Sequence, residues 1–168
     1  MSGRVFVFGD DIDTDQLAPG QYMKGGLDML AAHCLEGPRP DFASTVRPGD
    51  VVVAGRNFGM GSSREQAAEA LKHLGVAGVV ARSFAGIFYR NAINLGLPVL
   101  VAKDLDAVHD GDVAEFDVEG GELRLVNTNR TVRLEPLPDN LKRMLADGGL
   151  VPHLKKRFAA ERDKETST

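Results

Sequence analysis

Apolar and polar positions fall into two regimes along the 168 residues. Up to Val101 the apolar runs are short, continuous and rich in valine: Arg4–Phe8, Val51–Ala54, Val76–Ala81 and Leu97–Val101. Runs of that kind read as strands buried on both faces, the habit of parallel sheets. Helical patterns lie between the last three. Ala67, Ala70, Leu71 and Leu74 share a helical spacing, and Gly75 stands where a C′ glycine belongs. Ser83 is the predicted cap of a second helix reaching Leu95, with Gly96 as its stop and Pro98 beyond. Two strand–helix–strand units in succession predict parallel pairing. An earlier helix is predicted over Leu27–Leu35, ended by Gly37-Pro38, and Arg39–Asp50 reads as a polar loop. From Asp104 the pattern changes to alternation. Val113–Val118, Glu122–Val126 and Thr131–Glu135, separated by Gly120-Gly121 and Asn127–Arg130, predict an antiparallel meander. Pro136 and Pro138 precede a helix over Asp139–Ala146, Gly148-Gly149 break it, and Leu150–Arg162 is a last amphipathic stretch. The polar tail 163–168 is predicted to be disordered. The fold class is α/β: one domain over 1–168, with a partly parallel core sheet and a C-terminal antiparallel meander.

Composition narrows the function classes. Apolar residues make up 43% and charged residues 26%, an ordinary globular balance. A net charge of −4 gives no reason to expect nucleic acid or an anionic membrane as partner. No apolar run approaches the ~20 residues of a membrane helix, and MSGRVFVFGDDID turns acidic too early for a signal peptide. A cytoplasmic location is the expectation. One cysteine, Cys34, excludes a disulfide within the chain and a cluster ligated by this chain alone. His33, His73, His109 and His153 show no metal-ligand spacing, and no metal is assigned. His33 and Cys34 are neighbours in sequence; adjacent helical side chains diverge, which argues against a dyad.

The candidate chemistry lies in VVVAGRNFGMGSSREQAAEALKHL, Val51 to Leu74. A buried strand leads into Gly55, Gly59 and Gly61, then into Ser62-Ser63-Arg64-Glu65 and a helix. Serine followed three residues later by glutamate is a capping box, so Ser62 is the predicted N-cap. Two hydroxyls and a guanidinium then meet at the positive end of a helix, where anions are favoured. A plain cap with turn glycines is the bland reading. The glycine density argues for close approach of a ligand to backbone instead. Neither P-loop nor dinucleotide spacing is present. The chemistry alone points to a carboxylate site with a serine beside it.

Other stretches carry weaker signals. Asp11, Asp13 and Asp15 imitate the start of a calcium loop, but Gln16 and Tyr22 stand where glycine and glutamate are needed. A polar turn in which Asp and Thr bond local backbone is the expectation. Ala18–Gly26, with Tyr22-Met23-Lys24 among glycines, reads as a mobile loop. Asn91 and Asn94 share one face of their helix.

NFGMGSSREQAAEALKHLGVAGVVARSFAGIFYRNAINLGLPVL resembles the swivel domain of the aconitase superfamily, and as a short separate chain it resembles the 3-isopropylmalate dehydratase small-subunit family. The likeness starts at GDDIDTDQLAPGQYM and runs to about Val101. It implies a β/β/α swivel-type fold and half of a hydro-lyase active in leucine biosynthesis. A large partner subunit would carry a [4Fe–4S] cluster, and the pair, a heterodimer unit, would interconvert 2- and 3-isopropylmalate through a cis-alkene acid. Ser62 would be the catalytic base, with Ser63 and Arg64 holding a substrate carboxylate. Tyr22, Met23 and Lys24 would face the variable part of the substrate, and Asp13, Thr14, Asp15, Gly59 and Gly61 would shape the site. Relatives selecting a tricarboxylate often carry arginine at the Lys24 position. Many small subunits have cysteine at Met60 and histidine at Gln66, so the resemblance leaves the substrate open. The alternatives are a related dehydratase of dimethylmalate, citramalate or homocitrate/homoaconitate, and a carboxylate-binding module without chemistry.

Overall fold

The structure, a computed structural model, describes residues 2–166. Seven strands form one sheet: β1 (Ser2–Val7), β2 (Val51–Ala54), β3 (Gly78–Ala81), β4 (Val99–Val101), β5 (Val113–Asp117), β6 (Glu122–Leu125) and β7 (Arg130–Arg133). Their order is β4-β3-β2-β1-β5-β6-β7. β1 to β4 pair in parallel, with Val5 opposite Val51, Val52 opposite Val79 and Val80 opposite Leu100. β5, β6 and β7 pair antiparallel and join the sheet on the other edge of β1. The valine runs have no alternation because β2 and β3 are buried along their whole length. Leu123, Leu125 and Val132 supply the buried positions of alternating β6 and β7.

The helices are α1 (Thr14–Leu17), α2 (Leu27–Ala32), α3 (Phe42–Thr45), α4 (Gln66–His73), α5 (Gly86–Leu95), α6 (Asp139–Ala146) and α7 (Leu150–Thr166). One face of the parallel half, through Phe6, Val52, Ala54 and Val79, packs with Leu30, Leu71, Phe88 and Ile93 of the helices. The opposite face, through Val5, Val51, Val53 and Val80, packs with Ala114, Leu123, Leu125 and Val132 of the antiparallel half. The sheet therefore curls over itself, giving the two β layers and one helical layer that the family resemblance implies.

Several boundaries differ for tertiary reasons. α2 stops at Ala32, because Leu35 takes a positive φ of 58° and donates its N–H to the Gln16 carbonyl. The Arg39–Asp50 loop contains α3, pinned by the fully buried Phe42 edge-on to Phe6 and Phe8 at 5.1 and 5.5 Å. Ser83 does not cap α5. The cap residue is Ala85, while Ser83 Oγ accepts the Asn57 N–H at 2.9 Å. α7 extends to Thr166, so residues 163–166 are helical where a disordered tail is predicted. Its Lys, Arg, Ala and Glu run holds no glycine to stop it. Residues 167–168 lie outside the described residues. None of the α7 side chains is buried, and Val151 and Phe158 are exposed.

Candidate active site

The glycine loop after β2 is built on an aromatic floor. Phe58 is fully buried, with its ring 5.2 Å from Phe88 and 6.0 Å from Phe84. Its N–H donates to the Ser83 carbonyl, and its own carbonyl accepts from Ala85. Gly59 then has φ +85°, and a Cβ there would collide with the Phe88 side chain. Gly61 has φ +111°, and a Cβ there would stand 2.9 Å from Thr14 Oγ1. Both glycines are required by backbone angle and by space.

That path brings the loop against the segment after β1. Gly59 N–H donates to the Ile12 carbonyl at 2.7 Å, and Thr14 N–H to the Met60 carbonyl at 2.8 Å. Asp13 caps α1: its carboxylate accepts the Gln16 N–H at 2.7 Å, while Gln16 Oε1 accepts the Asp13 N–H at 2.9 Å. Asp-x-x-Gln is therefore a capping box, a signal present in the sequence but masked by the likeness of the aspartates to a calcium loop. Among the described residues no group of three His, Cys, Asp or Glu side chains is placed to hold a metal.

Thr14 is buried, at 3% exposure, and meets Ser62 twice. Ser62 N–H donates to Thr14 Oγ1 at 3.1 Å, and the two hydroxyl oxygens are 3.2 Å apart. Ser62 is exposed. It is not the N-cap of α4: Glu65 occupies that position, in αR geometry and without a side-chain hydrogen bond. The left-handed turns at Gly59 and Gly61 aim Ser62 at α1, and α4 begins only at Gln66. The helix dipole, felt within the first turn, is correspondingly weak at Ser62. Thr14 is its immediate polar neighbour.

Arg64 turns the same way. Its Nη1 donates to Asp15 Oδ1 at 3.0 Å and to the Ala18 carbonyl at 2.9 Å. The Gly20 N–H and then the Arg64 guanidinium hold the Asp15 carboxyl below its usual value. Exposed Ser63 is tied by its carbonyl to Asn91 Nδ2 at 3.4 Å. Tyr22, Met23 and Lys24 lie on a 3-10 helix, Gly20–Gly25, rather than on an open loop. Lys24 is exposed, whereas Tyr22 and Met23 pack against the helical-side core. Asp13, Thr14, Asp15, Gly59, Gly61, Ser62 and Arg64 thus converge, and the 20–25 segment is linked to them through Gly20 and Asp15. Cys34 is fully buried, and its burial pushes the thiol pKa up. His33 turns its Nδ1 to Glu36, so the two neighbours form no dyad.

Residues 31–104 match the family described as Aconitase C-terminal domain. The methanogen homoaconitase small subunit of Methanothermobacter thermautotrophicus is 55% identical over 90% of this chain and 88% of its own length. The 3-isopropylmalate dehydratase small subunit 1 of Thermotoga maritima is 50% identical over 92% of this chain and 94% of its own. This chain belongs to the aconitase-superfamily dehydratase small subunits. The fold of the family agrees: the crystal structure of the 3-isopropylmalate dehydratase (leuD) of Methanocaldococcus jannaschii superposes with a TM-score of 0.91. That chain is 46% identical, with 97% of this chain and 98% of that one covered. Among the described residues no helix is long and apolar enough to cross a membrane. In this small-subunit family member Ser62 is exposed at the surface.

Proposed function

We propose that this chain is the small subunit of a hydro-lyase that interconverts 2- and 3-isopropylmalate by loss and re-addition of water. The reading rests on one observation: an exposed Ser62 hydroxyl on a glycine-hinged turn, 3.2 Å from the Thr14 hydroxyl, in a chain half identical to relatives of that name. A [4Fe–4S] cluster needs several thiolates. With Cys34 alone, and that one buried, the residues present do not fit a cluster. The cluster is assigned to a large partner subunit, and this chain contributes its own side chains to the proton transfer and to substrate binding.

Ser62 Oγ, deprotonated, takes the proton from the carbon beside a substrate carboxylate. The hydroxyl of the neighbouring carbon departs, and proton and hydroxide together make the water that is lost. Re-addition at the other carbon completes the isomerisation. Thr14 Oγ1 already accepts the Ser62 N–H, so its own proton is available to the Ser62 oxygen and favours the charged form. Arg64 spends only Nη1 on Asp15 and Ala18. Nε and Nη2 remain for a carboxylate, which a guanidinium binds with two parallel bonds.

A second reading, homocitrate or homoaconitate as substrate, is favoured by the homoaconitase name of one close relative and by the exposed cation of Lys24. Reconstitution with a large subunit under anaerobic conditions tests the enzyme. Ser62→Ala is expected to lower kcat by about a hundred- to ten-thousandfold, the range for a general base. Near-wild-type turnover in that variant refutes the role of Ser62.

A further inference from the structure

The 3-10 segment Gly20–Gly25 is held chiefly through Tyr22 and Met23, which pack half-buried against the helical-side core. None of its residues is buried, and the Tyr22 N–H reaches only to the Pro19 carbonyl at 3.0 Å. At one end the Gly20 N–H donates to Asp15, the carboxylate that also takes Arg64. A Cβ on Gly20 would lie 3.8 Å from Arg64 Nη2, so the segment starts beside the Arg64 guanidinium. In its middle the Tyr22 ring lies flat on His33, centroids 3.6 Å apart and planes 7° from parallel. The His33 ring is itself fixed, because its Nδ1 bonds Glu36 Oε2 at 2.6 Å. His33 stands on rigid ground: Cys34 and Leu35 are fully buried, and the Leu35 N–H is bonded to Gln16 of the α1 capping box.

We propose that His33, held by Glu36, is a positioning residue for substrate selectivity. Its imidazole face clamps Tyr22 and thereby sets the position of Met23 and Lys24, on the segment that begins beside Arg64 at Gly20. This rests on the reading of Tyr22–Lys24 as the substrate-facing part of the site. Truncating His33 frees the segment and leaves the Ser62–Thr14 pair untouched, so binding of the variable group suffers while the chemistry persists. Glu36 sets the ring plane and contributes through His33. An aromatic replacement that keeps the flat face keeps most of the clamp.

Two readouts test this. Trypsin cleavage after Lys24 in the isolated chain measures opening of the segment. His33→Ala is expected to speed it about three- to tenfold, the loss of one ring pair, and His33→Phe to leave it near wild type. In the complex reconstituted with a large subunit, His33→Ala is expected to raise KM by a similar factor with kcat within about twofold. The kcat/KM ratio between 2-isopropylmalate and homocitrate should then move towards one. Glu36 is half exposed, so Glu36→Ala carries the same readouts, smaller in size, should His33→Ala not fold. Unchanged cleavage at Lys24 overturns the clamp, and accelerated cleavage with unchanged KM and ratio overturns the selectivity role. A wild-type complex that turns over neither substrate would defeat the proposed function instead, and the trypsin result would still judge the clamp.

Discussion

Thr14→Val is the most searching change to make at this site. Valine nearly matches threonine in shape, and Thr14 is buried, so the packing around α1 is kept while one hydroxyl is removed. The Thr14 N–H keeps its bond to the Met60 carbonyl, which holds the backbone junction. The Ser62 N–H loses its acceptor, but Ser62 is exposed and water can replace it. What water replaces poorly is a hydroxyl fixed 3.2 Å from the Ser62 oxygen, one that donates to that oxygen when it carries negative charge in the proposed mechanism. A hydrogen bond to a charged group is worth about 1.5–3 kcal/mol. At about 1.4 kcal/mol per tenfold, kcat should fall roughly ten- to a hundredfold. The direction with pH follows as well. In the proposed mechanism Ser62 works deprotonated; a donor would stabilise that form, and its removal would raise the serine pKa. The rising limb of kcat/KM against pH therefore moves to higher pH in Thr14→Val, and Thr14→Ser restores it. The assay is hydration of the cis-alkene acid by the reconstituted complex, followed by loss of alkene absorbance over a pH series. A Thr14→Val complex with wild-type kcat and an unshifted pH limb would refute the assignment of Thr14 as donor.

Other changes probe the remaining assignments. Lys24→Val is expected to shift preference from homocitrate towards 2-isopropylmalate by about tenfold, since one exposed charge pair is worth up to about 1 kcal/mol and the apolar replacement adds to it; an unchanged ranking of substrates would remove Lys24 from the site. Asp112, buried, accepts the Asn127 side chain at 2.9 Å and the His109 N–H at 2.8 Å, and these bonds hold its carboxyl below the usual value. A carboxyl depressed in the folded state stabilises above its unfolded pKa of about 3.9, and that contribution is lost as pH falls through the lower folded value. Urea denaturation should accordingly show Asp112→Asn destabilised at pH 7, with the deficit shrinking steadily as pH falls below about 3.9; a deficit that does not shrink would contradict the linkage.

Local physics was written plainly along the chain. Unbroken valine runs gave buried parallel strands, and Val51–Ala54 has its predicted bounds because glycine and aspartate punctuate both ends. Asp139–Ala146 also has its predicted bounds, set by Pro138 before it and glycines after it. Gly59 and Gly61 were legible as positions needing unusual backbone angles, and Ser62, Ser63 and Arg64 as the candidate chemistry. The role expected of Ser62 as a helix cap failed for a reason no local pattern carries. A serine three residues before a glutamate has the same local signature whether its hydroxyl turns to its own helix or to another element.

Contacts between distant segments required the folded chain. Ser62 meets Thr14 across 48 positions and Arg64 meets Asp15 across 49, and neither pairing has a sequence period. The same holds for β1, whose apolar run does not reveal that it takes β2 on one edge and β5 on the other. Sequence determined the strands and the longer helices, because burial pattern and backbone angle are local or periodic, whereas the short helices Thr14–Leu17, Gly20–Gly25 and Phe42–Thr45 fall in stretches that read as turn or loop. Only the tertiary structure decided which hydroxyl, carboxylate and guanidinium face one another. Those choices depend on how the sheet curls and where two left-handed glycines send the loop.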